Sequence, residues 1–139
     1  MMHYCKTCGG NPSWNADMAD GQCDACHSNA IRKLNDAFRS AQHTIGGLIA
    51  YGHLALTRGV TELGPDFVRR AIHTVRDFAD FAPENDPHGE HDFGAFTLDG
   101  VRLNWKIDYY DTKLEYGSPN PADHAKTRRV LTVLLAEEY

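Results

Sequence analysis

The sequence predicts an α+β protein: a small antiparallel sheet with a central β-hairpin packed by helices, and an amino-terminal zinc-knuckle module of treble-clef or zinc-ribbon-like type. Three observations predict it. Residues 91–111 alternate apolar and polar side chains on either side of Asp99-Gly100; two CxxC pairs stand at 5–8 and 23–26; and apolar residues recur at helical spacing in three other segments.

The hairpin is the most strongly specified element. Asp-Gly favours a two-residue turn with positive φ at both central positions, and such a turn fixes the register of its strands. Counting outward, Leu98 faces Val101, Phe96 faces Leu103, Gly94 faces Trp105 and Asp92 faces Ile107. The other face then carries Thr97/Arg102, Ala95/Asn104, Phe93/Lys106 and His91/Asp108. Trp105, lying over a glycine, belongs in the core.

At the amino terminus, Cys5-Lys-Thr-Cys8 and Cys23-Asp-Ala-Cys26 are separated by fourteen residues rich in turn formers. Four thiolates at this spacing suit one structural, tetrahedral Zn²⁺ on Cys5, Cys8, Cys23 and Cys26. The second pair leads into a helix with Ile31, Leu34, Phe38, Ala41 and Ile45 on one face, stopped by Gly46-Gly47. A strand is expected around Tyr51–Thr57, with Gly52 marking a bulge. Pro65 and Asp66 open a second helix, read to Phe81, with Phe67, Val68, Ala71, Ile72, Val75, Phe78 and Ala79 as its stripe. Asn120-Pro121 is read as the start of a last helix running to about Glu138, buried through Val130, Leu131, Val133, Leu134 and Leu135. The expected division is 1–43 for the knuckle and first helix, and 44–139 for the α+β domain.

Charge narrows the functional classes. Residues 1–43 hold four bases and four acids, while 44–139 hold ten bases and fifteen acids, so the net charge of −5 falls on the second part. A surface that tracks phosphates carries the opposite bias, which disfavours nucleic acid and favours a protein partner. No apolar run is long enough to span a membrane. The first residues lack a secretory pattern, which points to the cytoplasm.

The stretches NDPHGEHDFGAF (85–96), WKIDYYD (105–111), LEYGSPNPAD (114–123) and TRRVLTVLLAEEY (127–139) resemble the bacterial domain-of-unknown-function family 3768, over about residues 31–139. The resemblance implies a small accessory protein of alphaproteobacterial chromosomes, plasmids and phages, with no catalytic residue to carry over. The four-cysteine segment matches an extension of some members.

Two functional readings follow. The first is a non-enzymatic, zinc-stapled module that docks on a protein complex through Asp108, Tyr110, Asp111, Glu115 and Tyr116, where tyrosines alternate with acids as at many contact surfaces. The company implied by the resemblance extends this to inhibition of a host defence nuclease complex, in the manner of an anti-CRISPR protein. The alternative is a metal-dependent hydrolase using His88, His91, Asp92 and Asp108, within a cluster that also holds Asp86 and Glu90. The spacing of that cluster matches no ligand motif. An exposed His91/Asp108 cross-strand pair and a turn-forming Asp86 explain it equally well.

Overall fold

In the computed structural model, residues 24–40 and 52–139 are described. The elements are helix α1 (Asp24–Ser40), strand β1 (Gly52–Leu56), a one-turn helix α2 (Arg58–Thr61), helix α3 (Pro65–Asp77), strands β2 (Phe93–Leu98) and β3 (Val101–Tyr110), and strand β4 (Arg128–Leu135). They form one four-stranded sheet in the order β1-β4-β3-β2, with β1 parallel to β4 and the other pairs antiparallel. The expected wholly antiparallel sheet is therefore mixed. None of the described helices is long and apolar enough to cross a membrane.

The hairpin folds as its turn dictates. Asp99 and Gly100 both have positive φ, 53° and 77°, and the pairs Leu98/Val101, Phe96/Leu103 and Gly94/Trp105 form as expected. Trp105 is fully buried, and a Cβ added at Gly94 would collide with its indole and with Phe78. Glycine is required there because two rings occupy the volume a side chain would need.

The expected last helix is a strand. Residues 128–135 form β4, the strand between β1 and β3, with Leu131 opposite Ile107 and Val133 opposite Trp105. An apolar run that is buried on alternate residues of one face, with Leu134 buried on the other, satisfies a helix stripe and a central strand alike; what decides is the free edge of β3. Asn120-Pro121 starts no α-helix. A short 3-10 turn at His124–Lys126 follows instead, with the Asp123 carboxylate accepting from the Ala125 N–H at 3.0 Å.

The helices that cover the sheet are therefore α1 and α3. Helix α3 begins as read, with Gly64 preceding Pro65, and buries Phe67, Ala71 and Val75 at four-residue steps. It ends at Asp77, earlier than the apolar stripe suggests. Phe78 turns extended, and Phe78 and Phe81 then meet Trp105 edge to face, with ring centroids 5.6 and 6.1 Å away. The core is Phe38, Val60, Phe67, Ala71, Val75, Leu103, Trp105, Ile107, Leu131 and Val133. Phe38 brings α1, read with the amino-terminal unit, into that core. Gly52 forms no bulge: it pairs in register with Arg129, and its missing side chain lets the Phe38 ring lie against the strand.

Candidate functional site

Helix α1 is attached to the sheet by polar groups as much as by apolar ones. Its buried stripe is Ile31, Asn35, Phe38 and Arg39, and Leu34 is only half-buried. Asn35 is the hub of a seam. Its amide nitrogen donates to the Glu90 carbonyl at 2.9 Å and to the Tyr109 hydroxyl oxygen at 2.8 Å, and its amide oxygen accepts from Arg129 Nε at 2.6 Å. Tyr109 donates to the Glu90 carboxylate at 2.9 Å, and Arg129 Nη2 donates to the Pro121 carbonyl at 2.6 Å. The Arg129 guanidinium also lies over the Tyr109 ring, 5.3 Å from its centroid. Burial, and then the Glu90 charge, push the Tyr109 hydroxyl well above its ordinary pKa, while burial draws that of Arg129 down.

Arg39, one turn further along α1, caps α3. Its Nη1 donates to the carbonyls of Val75 at 2.8 Å, Arg76 at 3.3 Å and Phe78 at 2.6 Å, at the carboxyl end of α3, where carbonyls lack the donors of a following turn. Its Nη2 donates to Asp36 at 3.0 Å. Such a cation satisfies the carbonyls where α3 stops, and it explains the end of that helix better than the sequence around Asp77 does.

The His/Asp cluster is distributed differently from its sequence order. His91 has a φ of 56°, a left-handed conformation that takes it out of the β-ladder. Its ring stacks on Phe81 at 3.7 Å, with Nδ1 3.0 Å from Asp36 and Nε2 3.6 Å from Asp86. The expected His91/Asp108 pair does not form. Asp108 lies on the opposite face of the sheet, 3.0 Å from Lys106. Asp86 is buried, and its carboxylate accepts from the backbone N–H groups of Glu90 and His91 at 3.1 and 3.2 Å, which is the turn-forming role its neighbours suggested. His88 shares a shallow depression with Phe81, Asp86 and His91. Asp92 is half-buried, and burial followed by the Glu90 charge raises its pKa. Among the described residues no three His, Cys, Asp or Glu side chains converge as a metal-binding group. Cys5, Cys8 and Cys23 lie outside the described residues, and Cys26 stands in the first turn of α1.

The residues singled out for partner binding fall in and beside the loop after β3. Asp111 organises it: its carboxylate accepts from the backbone N–H groups of Lys113 and Glu115 at 3.1 and 3.0 Å, and its own N–H donates to the Tyr116 carbonyl at 2.8 Å. The Glu115 and other backbone donors hold the Asp111 carboxyl below its ordinary pKa. Tyr110 and Gly117 close the loop with an isolated bridge. The tip is left with Leu114, 44% exposed and with a φ of 59°, Glu115 exposed, and Tyr116, 72% exposed. Tyr110 and Asp108 sit half-buried on the sheet face not covered by the helices.

Sequence reading missed Asn35, Arg39, Arg129 and Leu114. A signal existed for the first two, since Asn35 and Arg39 interrupt the apolar stripe of α1 at a four-residue step. Arg129 follows the alternation of Leu131 and Val133 and so was due to face inward.

A family model described as "Protein of unknown function (DUF3768)" matches residues 56–138. No curated protein and no solved structure matches the chain.

Proposed function

Starting from a chain that belongs to the DUF3768 family, we propose that it is a non-enzymatic protein-binding module whose contact point is the loop from Asp111 to Gly117. The observation that supports this is the loop itself. A leucine and a tyrosine stand out from it on a backbone already fixed by the Asp111 carboxylate. Presenting apolar and aromatic groups on a preordered backbone lowers the entropy lost on binding. Asp111 acts on the loop and not on the partner; Tyr116 is the anchor, Leu114 its neighbour, and Tyr110 and Asp108 border the patch.

The structural Zn²⁺ on Cys5, Cys8, Cys23 and Cys26 remains part of the proposal, as does a defence nuclease complex as the target class. Elemental analysis of protein purified without added metal tests the first, with one zinc per chain expected. For the second, the full chain is used to capture partners from its native host, and binding is then measured with Tyr116→Ala and Leu114→Ala. Tyr116→Ala is expected to weaken binding by at least about 2 kcal/mol, the effect of a central anchor. Capture of no partner, or a partner bound equally by both variants, overturns the reading.

A further inference from the structure

The two edges of the sheet are β1 and β2. Strand β1 has five residues and runs almost directly into α2, β2 has six, and neither carries an Asp, Glu, Lys, Arg or proline. Natural edges are usually blunted by just those residues, because a bare edge pairs with any strand that reaches it. In the hairpin register, Leu98, Phe96 and Gly94 turn their N–H and C=O groups toward β3. The Ile107 N–H donating to the Asp92 carbonyl at 2.8 Å continues the same parity. The backbone groups of Phe93, Ala95 and Thr97 therefore point away from the sheet, and none has a partner among the described residues. Ala95 and Thr97 are exposed.

We infer that β2 is a self-association edge, on which the β2 strand of a second copy adds antiparallel about a two-fold axis at Ala95. The outward residues make this register self-complementary. Ala95 opposes its own copy, and Phe93 opposes Thr97 in both directions. On the helix-covered side Phe96 opposes Gly94, where the Trp105 and Phe78 rings already fill the space over the glycine, so the incoming Phe96 ring meets an aromatic surface. A two-fold interface of this kind closes after two copies, since each uses its only free β2 edge. It is separate from the Asp111–Gly117 loop, so it stands or falls independently of the partner-binding reading.

The test uses the full chain, its mass measured by light scattering across a concentration series, with Ala95→Lys and Ala95→Glu alone and mixed. The wild type is expected at twice 15.5 kDa at the upper concentrations, each variant at 15.5 kDa, and the mixture again at twice that mass. Restoration on mixing is specific to the two-fold at Ala95, because only there does the substituted residue meet itself. Far-ultraviolet circular dichroism and melting keep the variants interpretable; if either fails to fold, Thr97→Lys, on an exposed position of the same edge, replaces it and is expected to be monomeric. A wild type that stays at 15.5 kDa throughout overturns the inference. So does a dimer that survives the substitutions.

Discussion

Two regions of the same sheet face are held to their helices in different ways. Under α3, Leu103, Trp105, Ile107, Leu131 and Val133 form a dry surface against Phe67, Ala71 and Val75. Under α1, the same strands supply Tyr109 and Arg129, and the helix answers with Asn35, while Arg39 ties it to the end of α3. Apolar packing tolerates many arrangements of similar volume, whereas a hydrogen-bonded seam accepts few. Area holds α3 on the sheet, then, while α1 is aligned along its axis and in its rotation by donors and acceptors that must meet. The difference matters because α1 carries Cys26 in its first turn, so the seam fixes where that cysteine stands relative to the sheet.

The contrast can be broken first on its dry side. Trp105→Ala removes the largest fully buried side chain, and denaturant unfolding is expected to show a loss of about 3–5 kcal/mol. On the polar side, Asn35→Leu keeps a similar volume but leaves Arg129 Nε and the Glu90 carbonyl without their partner. Hydrogen bonds to charged groups contribute about 1.5–3 kcal/mol, so a loss of about 2–3 kcal/mol is expected, with hydrogen exchange rising in α1 before α3. If α1 and α3 open together, the two regions form one cooperative unit and the contrast is one of chemistry only. Gly94→Ala sharpens the dry side by overfilling it. The added methyl meets the Trp105 indole and Phe78, and a cost of about 1–3 kcal/mol is expected from thermal melts.

The smallest expected effect concerns pH at the margin of the seam. Asp92 has a folded pKa above its ordinary 3.8, so the folded state prefers the protonated acid. That contribution is fully present below the unfolded pKa and is lost as pH rises through the folded pKa. Asp92→Asn is therefore expected to melt higher than wild type at neutral pH and to converge with it at about pH 3, where both carry a neutral side chain. Equal melting at neutral pH would show that the Asp92 carboxylate is well solvated.

The loop proposed as a contact point shows how far sequence reading reaches. Asp111, Glu115 and Tyr116 were all legible as a tyrosine-and-acid patch, yet their roles separate only in three dimensions. Asp111 spends its carboxylate on backbone N–H groups, while Tyr116 spends nothing and faces solvent. Leu114 gave no sequence signal because a lone leucine among polar residues has no periodicity. His91 and Asp108 fell into a false pair because register counting assumes that the strand continues, and a left-handed residue ends it.

What the sequence by itself determined lies within short reach along the chain. Asp99-Gly100 set the turn and with it every pair of β2 and β3, Gly94 and Trp105 declared their packing, and Pro65 and Asp66 began α3. Tertiary structure decided the elements whose local signal admits two answers. Residues 128–135 become a strand because β3 offers an open edge and β1 needs a parallel neighbour; α3 ends where Arg39 arrives to take its last carbonyls. The seam joins Asn35 to Arg129, 94 residues apart. Periodicity reports the environment of a residue averaged over one or two turns or a few strand positions, and it carries no record of a partner at that distance. Only the packed sheet brings the two together, and burial then makes their hydrogen bond obligatory.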